Sequence, residues 1–198
     1  MRVGLTGGIG SGKSTVSSLL VGCGAVLVDT DAIARSLTAP GGAALPAIAA
    51  AFGAQMIGAD GALDRDCMRA LVFADPAAKA RLEGVLHPMI GEHAQAQALA
   101  ARPRSVVFDI PLLAESAHWR ARVDRVLVVD CSEETQRQRV LQRSGWSEDT
   151  VRRVIAQQAS RAQRRAIADA VIFNDGLSLE ALGQEVRALW ARWSAAGA

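Results

Sequence analysis

The sequence predicts an α/β fold: a doubly wound parallel five-stranded sheet with a helical insertion and a helical lid. Three observations carry this reading. Five short apolar runs are separated by helical stretches instead of tight turns, which argues for parallel strands covered on both faces. Residues 32–104 hold helical patterns and no convincing strand, and are too long for a simple strand–helix connection. Arginines then crowd the segment before the last strand.

The first run, residues 2–6 (RVGLT), is followed at once by glycines and reads as a buried strand; a helix follows over 13–20. Residues 25–28 (AVLV), 105–108 (SVVF), 125–129 (RVLVV) and 170–173 (AVIF) give the other strands. Within the insertion, 45–52, 67–73 and 77–100 carry the helical patterns. At the end of the chain, Leu182, Val186, Leu189, Trp190 and Trp193 fall on one helical face, behind a candidate N-cap at Ser178.

Composition narrows the function classes. With 198 residues, 50% of them hydrophobic, the chain can bury one compact core and a small inserted subdomain. A net charge of +2 gives no global pull toward nucleic acid or membrane. The three cysteines are dispersed, with no CxxC pair, and the histidines match no metal-ligand spacing. No apolar run reaches the ~18 residues that span a bilayer. A cytoplasmic protein with no nucleic-acid or membrane partner is therefore expected.

Residues 7–14 read GGIGSGKS and match G-x-x-x-x-G-K-[ST]. This is the phosphate-binding P-loop, in its strand–loop–helix context, and it makes the expected fold P-loop NTPase-type. Glycines let the backbone wrap close to phosphate oxygens, and the helix N-terminus adds partial positive charge. Gly10, Ser11, Gly12, Lys13, Ser14 and Thr15 are expected to hold ATP. Lys13 reaches the β- and γ-phosphates in this motif, and the Ser14 hydroxyl sits on Mg²⁺. No N-K-x-D guanine motif and no LSGGQ-like signature appears, which leaves a small-molecule kinase. A nucleotide-dependent binding or regulatory module stays open beside it.

Acids at strand ends are the catalytic candidates, because open α/β sheets bind ligands there. Asp29 and Asp31 follow the second strand, Asp109 the third and Asp130 the fourth. Helix capping is the competing role for each, with Ser132 as good a cap as Asp130. Asp31 is favoured for function on the expectation that its strand lies beside the P-loop strand. Between positions 137 and 165 stand eight arginines and two acids, a local charge of 8 − 2 = +6. Arginine forks suit phosphate oxygens, so this segment reads as a lid; most of its arginines are expected on a solvated face.

The chain resembles the dephospho-CoA kinases nearly end to end. The resemblance is carried by GLTGGIGSGKST (4–15), DTDAIAR (29–35), LHP (86–88), DIPLLAE (109–115), VLVVDCSEETQRQRVLQR (126–143) and AQQASRAQRRAIADAVIFNDG (156–176). Ala114 stands where that family usually carries an aromatic residue, which is expected to alter packing near Glu115. The resemblance implies ATP- and Mg²⁺-dependent phosphorylation of the ribose 3′-hydroxyl of dephospho-coenzyme A; a monomer is expected. It implies a nucleotide-binding core (1–31, 105–135, 168–198), a helical substrate domain (32–104) and a lid (136–167). It further implies Asp31 as base or hydroxyl-orienting group, Lys13, Arg139 and Arg143 in catalysis, and His87, Asp109 and Leu112 at the acceptor.

Overall fold

The computed structural model describes residues 1–195 and, at Ala117, the backbone alone. Its elements run β1 (Arg2–Gly7), α1 (Lys13–Gly22), β2 (Val26–Asp29), α2 (Thr30–Leu37), α3 (Leu45–Phe52), α4 (Arg65–Ala74) and α5 (Pro76–Ala100). Then follow β3 (Val106–Asp109), α6 (Ala117–Arg120), β4 (Arg125–Asp130), α7 (Glu133–Ser144), α8 (Glu148–Gln157), α9 (Arg161–Ala166), β5 (Ala170–Phe173) and α10 (Leu179–Ala195). The strands form one five-stranded parallel sheet in the order β2-β3-β1-β4-β5.

That order corrects one expectation. The second strand does not lie beside the P-loop strand: β3 stands between them, with Arg2 opposite Val106 and Leu5 opposite Asp109. The acid carried to the flank of β1 is therefore Asp109. Strand order is set by crossovers between distant segments, and no local pattern of residues encodes it.

Two compact units make up the chain. The first comprises Met1–Val28 and Ala101–Ala198 and holds the arginine-dense segment 136–167. Central strands with both faces covered bury every side chain, which is why they read as unbroken apolar runs. On one face Val3, Leu5, Val107, Leu127, Val129 and Ile172 pack with Val16 and Leu20 of α1 and with Leu182, Val186, Leu189, Trp190 and Trp193 of α10. On alternate positions Phe108, Val126 and Val128 are equally buried, and the Phe108 ring meets Trp119 at 5.9 Å between centroids. Ser178 accepts from the Ala181 N–H at 3.1 Å, so the expected start of the last helix holds.

The second unit, Asp29–Ala100, is helical apart from one isolated antiparallel bridge, Ile57 to Leu63. Helices α2, α3 and α4 pack on α5. Close approach is possible because α5 buries small residues, Ala78, Gly91, Ala94 and Ala98. Ile33, Leu37, Ile48, Phe52 and Met68 complete this core, and Arg81 lies over the Phe52 ring at 4.7 Å. Asp64 starts α4 by accepting from the Asp66 and Cys67 N–H groups.

Candidate functional site

The site grows from the end of β1. The chain leaves the strand at Gly7, turns through Gly8–Ser11 with a Ser11 N–H to Gly8 carbonyl bond of 3.0 Å, and enters α1 at Lys13. Gly12, the N-cap, has φ +94°, and a Cβ there would lie 2.3 Å from Asn174 Nδ2, so both backbone strain and collision require glycine. Among the described residues no side chain caps α1. Its first N–H groups and its positive end are thus left for an anion.

Side chains from the far end of the unit hold the loop in shape. The Ile9 N–H donates to Gln158 Oε1 at 2.9 Å, and the Ile9 carbonyl accepts from Gln136 Nε2 at 2.8 Å. Asn174 Nδ2 donates to the Ser11 carbonyl at 2.8 Å. Arg139 Nη1 reaches the Gly10 and Ser11 carbonyls, each at 3.4 Å. Gly8 is equally constrained, since a Cβ there would sit 2.0 Å from Gln136 Nε2 and 2.7 Å from Arg164 Nη2.

Lys13 Nζ donates to the Asp109 carboxylate, and both side chains are largely buried. Thr6 Oγ1 donates to the Pro111 carbonyl at 3.0 Å, tying β1 to the loop beyond Asp109. Glu115, at the end of that loop, accepts the Ala159 N–H at 2.8 Å. The segment between α8 and α9 therefore touches both the P-loop, through Gln158, and the loop after β3.

The remaining strand-end acids resolve as follows. Asp130 does not cap a helix. It is buried and takes two hydrogen bonds from Arg161, at 2.9 and 2.8 Å, which raise the Arg161 pKa. Ser132 caps α7 instead, accepting from the Thr135 N–H. Asp29 caps α2 by accepting from the Ala32 N–H at 2.8 Å. Asp31 lies in the first turn of α2, exposed, at the positive end of the helix.

Of the arginines, 137 and 152 are tied to Glu134 and Glu148, and those surface pairs hold both glutamates below the usual carboxylate range. Arg164 is buried, and desolvation pulls its guanidinium below its ordinary value. Arg143 is exposed in the last turn of α7. Leu112 is exposed just past Pro111. His87 is exposed in the middle of α5, before Pro88.

The structure thus brings together residues 10–15, Asp109 and Arg139, while Asp31 and His87 belong to the second unit. Gln136, Gln158, Arg164 and Asn174 were not among the candidates read from sequence. Gln136 carried a usable signal: it sits four residues before Val140 on the buried stripe of α7, a polar residue at an apolar position.

A parallel sheet with an uncapped glycine-loop helix, a lysine at its start and an aspartate at the neighbouring strand end defines a P-loop kinase of small molecules. The dephospho-CoA kinase family model matches residues 1–180. The dephospho-CoA kinase of Bordetella parapertussis is 55% identical over 195 residues, which cover 98% of this chain and 91% of that protein. The structure of TT1252 from Thermus thermophilus superposes with a TM-score of 0.84 at 33% identity, covering 97% of each chain. That of the dephospho-CoA kinase from Campylobacter jejuni has the same fold, with a TM-score of 0.71 at 23% identity over 100% of this chain and 98% of that one. The chain belongs to the dephospho-CoA kinase family and is a kinase. Among the described residues no helix is long and apolar enough to cross a membrane.

Proposed function

We propose that this chain transfers the γ-phosphoryl group of ATP to the ribose 3′-hydroxyl of dephospho-coenzyme A. The observation that supports this most is the Lys13–Asp109 pair at the start of α1. It holds the ammonium at the end of β3, beside the P-loop strand, where a γ-phosphate on the P-loop would lie. Lys13 then neutralises charge as the phosphoryl group moves, while the amides at the start of α1 hold the phosphates that stay. Asp109 keeps Lys13 placed between turnovers.

On the helical unit, His87 is assigned to acceptor binding and Asp31 to orienting the acceptor hydroxyl. Orientation counts here because phosphoryl transfer is loose, with little bond formation to the nucleophile at the transition state. Arg139 and Arg143, four apart on α7, share a face turned to the triphosphate. Mg²⁺ fits the donors present: the Ser14 hydroxyl is exposed in the first turn of α1, and hydroxyl and phosphate oxygens are the hard ligands it takes. Bound there, it would withdraw charge from the β- and γ-phosphoryl oxygens. Among the described residues no group of three or more His, Cys, Asp or Glu could hold a metal.

Phosphorus NMR of the product tests the assignment. A new phosphate on the 3′-oxygen of dephospho-coenzyme A is expected, with ADP formed one for one. A preference for shikimate or a nucleoside monophosphate as acceptor would overturn it.

A further inference from the structure

The backbone N–H and carbonyl of Ile9, which belong to the successive peptide units Gly8–Ile9 and Ile9–Gly10, are each held by a side chain from outside the loop. The N–H goes to Gln158 at the end of α8, and the carbonyl takes the amide of Gln136 in α7. Neither glutamine is idle packing. Gln136 is 1% exposed on the apolar stripe of its helix, and its Oε1 is buried without a partner among the described residues. An apolar side chain of that length would fill the same space without the cost of burying an unpaired oxygen. What the amide supplies instead is a donor, and that donor is aimed at Ile9.

Gln158 is itself pinned. Its backbone N–H caps α8 at the Ile155 carbonyl. The next residue, Ala159, gives its N–H to Glu115 and takes a hydrogen bond from Arg164 Nη1 at its carbonyl. An acceptor on so fixed a stem sets the angle of the peptide it meets. The Ile9 and Ser11 N–H groups are both consumed within this arrangement, the second by the Gly8 carbonyl. Phosphate is therefore left to the other amides of the loop, whose directions follow from the two peptide planes that meet at Ile9.

We propose that Gln136 and Gln158 are positioning residues for the phosphates of the nucleotide, fixing the two peptide units that flank Ile9 so that the remaining loop amides point at the ligand. The proposal rests on the kinase reading with ATP as donor. It also assigns each glutamine one hydrogen-bonding polarity. Position 136 must donate, because a carbonyl accepts, and position 158 must accept, because an N–H donates.

Steady-state kinetics and backbone hydrogen exchange test it on the full chain. Gln136→Met and Gln158→Met keep side-chain length and lose the donor and the acceptor respectively. Each is expected to raise KM for ATP by roughly 3- to 10-fold, the range for one neutral hydrogen bond, with KM for dephospho-coenzyme A unchanged. In the protein without nucleotide, Gln158→Met speeds exchange at the Ile9 amide, and Gln158→Glu, which retains an acceptor oxygen at the same reach, does not. Should Gln136→Met fail to fold, the half-buried Gln158 carries the test alone. A wild-type KM for ATP in folded Gln158→Met overturns the proposal, whatever the exchange shows. So does a parallel rise in both KM values, which marks general loosening. Absence of ATP-dependent phosphorylation by the wild-type chain would instead sink the kinase reading beneath it.

Discussion

Asp31→Asn separates a chemical role from a structural one. Asp31 stands in the first turn of α2, and the cap of that helix is the neighbouring Asp29, whose carboxylate takes the Ala32 N–H. An exposed aspartate in a first turn gains about 0.3–1 kcal/mol from the helix dipole. Loss of that dipole interaction lowers Tm by about 1–4 °C for a chain of this length. If Asp31 orients the acceptor hydroxyl, the same change costs turnover about 10²-fold or more, equal to ~2.7 kcal/mol of barrier. Asp29→Ala is the matched control. It loses a cap worth about 1 kcal/mol, lowers Tm by about 2–4 °C, and leaves turnover within a few-fold. Coupled ADP release at saturating Mg-ATP and dephospho-coenzyme A, with thermal melts of the same samples, reads both quantities. Wild-type turnover in Asp31→Asn would refute the assignment. The carboxylate facing the reaction would then be sought at Asp109, which already touches Lys13.

If the Lys13 ammonium neutralises the transferring group, as proposed, Lys13→Ala is expected to cut turnover by several orders of magnitude in a protein that still melts cooperatively; near-normal turnover would end that reading. Arg139→Ala, which frees the Gly10 and Ser11 carbonyls, should weaken ATP binding, as should Arg143→Ala, with little change in Tm. Unchanged ATP kinetics in both would leave Arg143 on a solvated helix face and Arg139 as a brace of the loop carbonyls alone. Burial pushes the Cys131 thiol up to about 11 from 9.0, so the native state keeps its proton longer than the unfolded chain. Its contribution to stability is complete below pH 9 and is lost as pH rises toward 11, a loss that Cys131→Ala should flatten in denaturant midpoints measured between those values. At pH 7.5 the exposed Cys67 should react with a thiol reagent while Cys131 stays protected until the protein is denatured.

Local chemistry made much of this molecule legible from its residues. The P-loop could be read because strand, glycines, lysine and helix start are contiguous, and their conformations follow from short-range sterics. The apolar face of α10 could be read because burial repeats with the helical period, and Leu182, Val186, Leu189, Trp190 and Trp193 are all buried. The run 45–52 coincides with α3, bounded by Pro46 near its start and Gly53 at its end. Each of these features needs only a few neighbouring residues to specify it.

Other features depend on residues far apart in the chain. Placing Asp109 beside Lys13 requires β3 to pair with β1, a contact across 96 residues that no periodicity announces. Whether Asp29 or Asp31 caps α2, and Ser132 or Asp130 begins α7, turned on one or two residues of helix start, a margin that propensity does not resolve. Asp130 found its partner in Arg161, and Ile9 found two glutamines 127 and 149 residues away. A hydrogen bond forms between atoms that folding brings within about 3 Å, and only the packed sheet and its helices bring these together.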